Sequence, residues 1–404
     1  MFKKHIGFLT ALSIGISLVG CVEEFEPELQ EFEDNLVVEG TITNELKHQT
    51  IYLNRTYTFE EEQPSAEVNA TVTVEGGGNV YAFQESRPGT YTSINEFRAQ
   101  QGTPYQLRIS THDGVKYHSS EMQLPNSTDI DELYVERFTT DLDEEGVGIF
   151  IDNENVLDGS KNYRYEFIET YKVIAPDWNN TALINVPDVV CDRTVKTTRE
   201  RDEQVCYTTV ASNAIILANT ENLSGNNLRR FQIRFINRDN YIISHRYSVL
   251  VRQYVQSNEA YSFYETLRDF SGSESIFSET QPGFLEGNIQ EDVNTGRKVL
   301  GFFDVATVSE KRLFFDYEDL FPGEELPPYA DPCQRSAPKI AEGHGPEPRC
   351  ILESLVNLDL IRFITDNEEW EGPQSDGGPF IVVPRVCGDC TVLGTTEVPE
   401  FWFE

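Results

Sequence analysis

The chain has 404 residues, 39% of them hydrophobic and 11% aromatic, so it is long and apolar enough to form one to three domains with a sizeable core. Its 68 acidic residues against 32 Lys and Arg give a formal net charge of −36. This excess of acid argues against nucleic acid as a partner and against binding to an anionic lipid surface, because both need clustered basic residues. Solubility is the ordinary explanation of such acidity, and a cationic or metal-ion partner is the alternative.

Residues 1–20 have the pattern of a secretory signal peptide. Lys3 and Lys4 precede an apolar segment, 8–19, which is shorter than the about 20 residues that a membrane-spanning helix needs. The signal ends in "LVGC", which resembles the lipobox of bacterial lipoproteins. This resemblance implies that Cys21 becomes the first mature residue and is lipidated with acyl chains such as palmitate, which anchor the protein to a membrane. The alternative is a plain secretory signal followed by an incidental cysteine.

An acidic segment, 21–35, follows the signal peptide. It contains seven carboxylates and no basic residue, so charge repulsion and Pro27 are expected to keep it extended as a tether. Acids directly after a lipidated cysteine also resemble the surface-export signal of Bacteroidota lipoproteins, which implies an outer-membrane protein facing the extracellular side. The alternative is a solvated tether that faces the periplasm. Loss of the two signal-peptide lysines changes the net charge to 30 − 68 = −38.

Residues 36–126 predict a β-sandwich domain. Apolar and polar residues alternate from Val68 to Glu75, which is the period of a half-buried strand, and the run breaks at the three glycines 76–78. Asp113-Gly114 lies between two alternating runs and indicates a hairpin. Short strands at this spacing, with no helical period between them, favour an antiparallel sandwich.

Residues 127–404 predict a larger antiparallel β domain with one short helix and long loops closed by disulfides. Strand patterns occur at "ELYVERF", "GVGIFID", "NYRYEFIETYKVI", "RRFQIRFIN", "HRYSVLVRQYV", "KVLGFFDVATV" and "KRLFFDY". The helix is predicted from Asn258 to Phe270, where apolar residues recur at three- and four-residue spacing. This apolar face is interpreted as packing against a sheet, and stacking on a ligand is the alternative. Residues 177–227 indicate a long excursion, and the Pro-rich loop 320–350 is the predicted contact surface for a partner.

Six cysteines remain after the lipidation site, and an even number in an exported chain predicts disulfides. They are Cys191, Cys206, Cys333, Cys350, Cys387 and Cys390. Six cysteines allow fifteen pairings, and apart from the final C-x-x-C the pairs closest in sequence are 191 with 206 and 333 with 350. Cys387-Gly-Asp-Cys390 is interpreted as a tight structural disulfide. The alternatives are a redox motif, which needs a βαβ context, and a zinc half-site, which needs a second Cys/His pair.

The sequence contains no common catalytic, phosphate-binding or metal signature, and we therefore predict a protein without enzymatic activity, cofactor or metal site. The histidines of the mature chain are scattered without ligand spacing and are interpreted as ordinary strand or loop residues. They are His48, His112, His118, His245 and His344. A pair of glycosidase carboxylates stays open, because the separation of two acids is a three-dimensional property.

Asp141-x-Asp143-x-Glu145-Gly146 resembles the start of a calcium-binding loop. Ile149 at the ninth position offers no side-chain oxygen, and the flanking segments have strand patterns rather than helical ones. We interpret the segment as a polar turn between two strands.

The tail "VVPRVCGDCTVLGTTEVPEFW" resembles the closing signature of a Bacteroidota lipoprotein family, domain of unknown function 4249. Five upstream segments fit the same family pattern in order: "LVVEGTITN", "ATVTVEGGGNVYAF", "YSVLVRQYVQSNEAYSFYETL", "GFLEGNI" and "VLGFFDVATVSEKR". The chain departs from the pattern at 391–393, where a basic residue is usual. The resemblance implies an outer-membrane lipoprotein with an N-terminal domain like a carboxypeptidase-regulatory or prealbumin module, commonly encoded beside a TonB-dependent receptor. It transfers no catalytic residue.

These patterns together predict a surface lipoprotein that acts as a non-enzymatic accessory or binding subunit beside a TonB-dependent receptor in nutrient capture. The alternatives are a structural or assembly component of the envelope and a hydrolase whose site has no recognisable motif.

Overall fold

The computed structural model describes residues 34–57, 64–153, 161–186, 191, 193–221, 223, 227–272, 285–293, 295–342, 348–373 and 375–404. The predicted signal peptide, Cys21, most of the acidic tether and His344 lie outside the described residues. Strands make up 47% of the structure and helices 11%, which confirms the mainly β fold class. No helix among the described residues is long and apolar enough to span a bilayer.

The first eight strands of the described chain form an antiparallel, sandwich-like N-terminal region. They are β1 (Leu36–Thr43), β2 (Thr50–Arg55), β3 (Thr71–Gly76), β4 (Asn79–Arg87), β5 (Thr90–Ser93), β6 (Pro104–Ser110), β7 (Lys116–Ser119) and β8 (Met122–Gln123). Their order in the sheet is β1-β2-β5-β4-β3-β6-β7, with β8 beside β6. Gly77 and Gly78, both at positive φ, turn β3 into β4, and Gly114 turns β6 into β7, so both predicted turns are confirmed.

The middle of the described chain adds nine strands. They are β9 (Glu132–Thr139), β10 (Glu145–Asn153), β11 (Asn162–Ile174), β12 (Thr181–Asn185), β13 (Thr194–Thr198), β14 (Val205–Ala211), β15 (Ile216–Asn219), β16 (Leu228–Asn237) and β17 (Tyr247–Val255). β9, β10 and β16 form one sheet, β12 and β13 form a hairpin, and β11 pairs with β14, β15 and β17. The predicted excursion over 177–227 thus contains four strands. β13 could not be predicted from the sequence because its side chains are mostly exposed and show no apolar alternation.

The last part of the described chain contains six strands and four helices. The strands are β18 (Ile289–Glu291), β19 (Val299–Phe315), β20 (Ala341–Glu342), β21 (Arg349–Cys350), β22 (Ile361–Asp366) and β23 (Phe380–Pro384). The helices are α1 (Asn258–Gly272), α2 (Tyr317–Leu320), α3 (Ile351–Asn357) and α4 (Arg385–Gly388), and short 3₁₀ turns lie at Tyr241–Ile243 and Cys390–Val392. α1 confirms the predicted helix and is two residues longer.

β19 is one continuous strand of 17 residues where the sequence predicted two. Its first half pairs in parallel with β1, and its second half pairs antiparallel with β17. The polar residues 309–312 interrupt the apolar pattern because the middle of the strand is exposed at Glu310 and Lys311. The long strand therefore joins the N-terminal strands to β17, β11 and β14 in a single sheet.

The buried residues form two hydrophobic clusters. One contains Val38 and Leu53 from the N-terminal strands together with Phe263 of α1 and Phe303 of β19. The other is centred on β10, β11 and β17 and reaches the far end of β19 at Phe315. The boundary predicted between 36–126 and 127–404 stays a prediction, and β19 contributes core residues on both sides of it.

Candidate binding groove

The six cysteines lie in three disulfides, as predicted. The pairs are Cys191–Cys350, Cys206–Cys390 and Cys333–Cys387, with Cα–Cα distances of 4.7, 5.6 and 5.6 Å. Their sequence separations are 159, 184 and 54 residues, so the pairs closest in sequence are not formed. The interpretation of the C-x-x-C as a mutual disulfide is wrong: the first cysteine lies in α4, whereas the second begins the next 3₁₀ turn and bonds to β14.

One group of potential metal ligands occurs among the described residues. An oxygen of Asp331 and the sulfurs of Cys333 and Cys387 lie within 4.8 Å of one another. The two sulfurs are bonded to each other, so they offer no thiolate to an ion. We assign this group to the disulfide framework.

Asp389, inside the C-x-x-C, is the centre of an ionic cluster. Its side chain is 1% exposed and accepts hydrogen bonds from Arg362 at 2.5 Å, from Arg385 at 2.9 Å and from the Thr391 backbone at 2.9 Å. Burial alone would raise the pKa of Asp389, but hydrogen bonds from Thr391 and the two guanidinium groups lower it to about 2. Thr391 thus has a structural role at the point where the chain departs from the family pattern.

Four of the histidines that were predicted to be ordinary residues lie in the described part of the chain. His48 Nδ1 lies 2.8 Å from the Ser93 carbonyl oxygen, and His118 Nδ1 lies 2.6 Å from Asp292, which ties β7 to the end of β18. Burial, with a smaller effect of a nearby lysine charge, lowers the pKa of His245. His112 lines a polar depression at the start of the described body.

The acidic segment 141–146 lies where β9 turns into β10, as predicted, and its last two residues, Glu145 and Gly146, already belong to β10. Glu145, which would supply an oxygen to a calcium ion, is instead held by Arg137 at 2.6 Å and Arg238 at 3.1 Å. These two hydrogen bonds are the first causes of the lowered pKa of Glu145.

The described residues of the Pro-rich loop 320–350 are fastened to the body at several points. Phe321 is fully buried and stacks on Tyr317 with ring centroids 4.8 Å apart. Tyr329 donates a hydrogen bond to the Val386 carbonyl at 3.0 Å, and disulfides hold the loop in its middle, at Cys333, and at its end, at Cys350. Its role as a contact surface stays a prediction.

A groove of about 490 Å³ lies between α1, the start of β1 and the start of β19. Its walls are mostly aliphatic and aromatic, and Phe263 of α1 faces Phe302 of β19 with ring centroids 5.0 Å apart. Leu267 follows one turn later on the same face of α1, which is the spacing from which the helix was predicted. The groove is therefore an apolar concavity built by a helix over a sheet.

A buried cation lies at the floor of the groove. Arg164 of β11 is 12% exposed, forms an ion pair with Glu166, and has its guanidinium carbon 4.3 and 4.7 Å from the ring centroids of Tyr254 and Tyr264. Tyr254 also donates a hydrogen bond to Glu166 at 2.9 Å. Burial alone would lower the pKa of Arg164, but Tyr264 and Glu166 raise it, so the group stays charged.

Asp304 of β19 lies fully buried near this cation. It accepts hydrogen bonds from Gln256 at 3.0 Å and from the Val305 backbone at 2.8 Å. Burial raises its pKa, and these two hydrogen bonds and the charge of Arg164 partly oppose that effect. The floor of the groove therefore contains buried charged residues, Arg164 and Asp304, whereas its walls are apolar.

Two glycines allow the backbone to pass close to the floor. Gly301 lies at φ +96°, and a Cβ there would approach the Val38 oxygen to 1.9 Å; a Cβ on Gly287 would approach the Gly301 oxygen to 1.7 Å. Asn288 then exchanges two hydrogen bonds with the backbone of Phe303, at 2.8 and 2.9 Å. This crossing brings Leu285 to the rim of the groove.

Sequence reasoning missed the groove because six separate parts of the chain line it. Four of the five upstream segments that carry the resemblance meet there, and they supply Val38, Phe263, Leu285 and Phe302 among others. The available signals were a glycine inside a strand pattern and Arg164 between aromatic residues of an apolar strand. Neither signal identifies its distant neighbours.

A family model described as "Domain of unknown function (DUF4249)" matches residues 22–312. The match includes every residue that lines the groove and ends before the tail motif. No curated protein matches the chain.

Proposed function

The chain belongs to the DUF4249 family, and from this premise we propose that it is a non-enzymatic accessory or binding subunit beside a TonB-dependent receptor in nutrient capture. In this proposal the protein is an outer-membrane lipoprotein of a Bacteroidota cell, held by acyl chains on Cys21. Its body faces the extracellular side, and its N-terminal strands serve as a prealbumin-like module.

The spacing between the anchor and the body supports this arrangement. The described body begins at Asp34, 13 residues after Cys21, and a fully extended chain of that length reaches roughly 45 Å. The acidic tether repels an anionic surface, so it favours a body held away from the membrane. Such a body is free to meet the outward face of a neighbouring receptor.

The observation that carries the binding role is the groove beneath α1. An apolar concavity with a few fixed polar groups is the usual form of a small-molecule site. Among the described residues that line it there is no histidine or cysteine, and Ser212 accepts a hydrogen bond from the Phe167 backbone at 3.0 Å. Arg164 and Glu166 neutralise each other. These features support ligand binding rather than turnover.

The test of the receptor partner is a pull-down of the native lipidated protein from detergent-solubilised membranes, followed by mass spectrometry. We expect an outer-membrane receptor barrel in near-stoichiometric amount. Stable partners of another kind, present whatever the nutrient supply, would favour a structural or assembly role, and turnover of a glycan or peptide panel would favour a hydrolase. Absence of a barrel under every growth condition would contradict the proposal.

The anchor has its own test. Cys21→Ala removes the only thiol at the proposed cleavage site, so we expect the protein to leave the membrane fraction and become soluble after export. Intact-mass analysis of the wild-type protein should show the added acyl chains. Unchanged fractionation of the variant, or an unmodified amino terminus, would contradict lipid anchoring.

A further inference from the structure

We propose that the groove beneath α1 takes a small organic cation, with an apolar body in the groove and one ammonium or guanidinium group paired with Glu39. This inference rests on the proposed binding function and names the class of ligand that the site selects.

The apolar part of this assignment follows from the walls. Leu267 and Phe270 of α1 and Leu300 of β19 form apolar walls, and Phe270 is 37% exposed. Phe263 and Phe302 also line the groove, with their rings in contact with each other. The volume of about 490 Å³ falls within the roughly 300–1,000 Å³ usual for small-molecule sites. Transfer of a hydrocarbon or aromatic body from water into such a groove is favourable.

The basic residue at the floor does not favour an anion. Arg164 is the one basic residue that lines the groove within the described part of the chain. Two tyrosine rings cover its guanidinium, Glu166 pairs with it, and its Nε is inaccessible to solvent. A ligand carboxylate would have to displace Glu166 or a ring to reach it, which leaves a buried charge without its partner.

The charge that a ligand meets is negative. Glu39 of β1 lines the groove, is exposed, and takes part in no ion pair among the described residues. Glu166 is 39% exposed, but its carboxylate is already paired with Arg164 and accepts a hydrogen bond from Tyr254. Glu39 is therefore the free carboxylate at the rim. A cation there also benefits from the nearby aromatic faces.

The test uses three fluorescent probes that share a dansyl group and a five-carbon chain and differ in the end group. Dansylcadaverine ends in an ammonium, N-pentyl dansylamide is neutral, and N-dansyl-6-aminohexanoate ends in a carboxylate. The titrations use the full mature chain carrying Cys21→Ala, because this variant needs no detergent. The cationic probe should bind most tightly, the neutral probe less tightly and the anionic probe most weakly. We expect the cation to bind about two- to fivefold more tightly than the neutral probe, as for a partly exposed ion pair.

Matched variants assign the two parts of the ligand. Glu39→Gln should remove the preference for the cation while the affinity for the neutral probe stays unchanged. Glu132→Gln makes the same charge change at an exposed position on β9, in a different sheet, and should leave all three affinities unchanged. Leu267→Ala should weaken all three probes together, because it removes part of the apolar wall.

Three outcomes would overturn the inference: no probe binds, the anion binds as tightly as the cation, or Glu39→Gln weakens the three probes equally. Its failure is separable from failure of the proposed function. A receptor barrel recovered in the pull-down without probe binding would remove only the ligand assignment. The predicted probe order without a receptor would remove only the receptor partner.

Discussion

Asp389 shows how one carboxylate holds together several segments that are far apart in sequence. Its partners lie on β22, on α4 and in the following 3₁₀ turn, and all of them donate to it directly. The sequence shows an aspartate inside the C-x-x-C but does not show that it is a buried counter-charge. The two arginines that pair with it lie on other elements. A buried charge is stable only when partners surround it.

Replacement of Asp389 by asparagine should therefore be costly. Asp389→Asn leaves Arg362, which is 13% exposed, without its buried counter-charge, and we expect the free energy of unfolding to fall by roughly 3–5 kcal/mol. Asp359→Asn is the matched control, because Asp359 also pairs with Arg362 but is 53% exposed, and its cost should be about 1 kcal/mol or less. Chemical denaturation measures both, and equal losses would contradict the assignment.

The same residue gives a pH dependence of known sign. The pKa of Asp389 is lowered from 3.8 to about 2 in the folded protein, so its stabilising effect is fully present above about pH 4 and is lost as the pH falls towards 2. Between pH 5 and pH 2 the wild type should lose roughly 2 kcal/mol more than Asp389→Asn does. Parallel curves for the two proteins would contradict this linkage.

At the scale of single elements, the sequence predicts those helices and turns whose formation depends on residues that are close along the chain. α1 and the turns at 76–78 and 113–114 follow from local periodicity and from glycine, and the structure confirms them. The parallel pairing of β19 with β1 and two of the three disulfide pairs depend on segments more than 150 residues away. Sequence proximity misled the cysteine interpretation because Tyr207 of β14 pairs with Thr395, which brings the tail beside a distant strand.

Disulfide mapping tests this arrangement directly. Trypsin has no site between Cys387 and Cys390, so peptide 386–404 carries both cysteines. We expect peptide 386–404 to be linked to peptide 202–229 through Cys206 and to peptide 313–335 through Cys333. Peptide 173–193 should be linked separately to peptide 350–362. A peptide 386–404 that is closed on itself and linked to nothing would contradict the pairing. Cleavage before Asp389 then separates the two bridges.

At the scale of the whole molecule, the groove exists because one sheet runs through both halves of the chain. β19 adds Phe302 and Phe303 to the first hydrophobic cluster and Phe315 to the second, and α1 packs its buried face onto the first. A ligand in the groove therefore contacts the N-terminal strands and the later part of the chain together. Ligand binding would therefore hold the N-terminal strands in a fixed position relative to the later part of the chain.

The shared strand also predicts that the N-terminal strands do not fold alone. A fragment of residues 34–126 keeps β2 beside β1 but lacks β19, the parallel partner of β1 from Leu36 to Thr43. It also lacks the apolar side chains of Phe263 and Phe303. We expect this fragment to show no cooperative unfolding transition, since its core is left open and β1 becomes an exposed edge.

The control restores the missing strands without the rest of the molecule. Residues 285–306 joined to the fragment by a flexible linker return β18 to β7 and the first half of β19 to β1. Circular dichroism during thermal and urea unfolding should then show a sigmoidal transition for the fusion and a gradual change for 34–126. Cooperative unfolding of 34–126 by itself would mean that the predicted boundary at 126 separates an independent domain, and that β19 extends a core that is already complete.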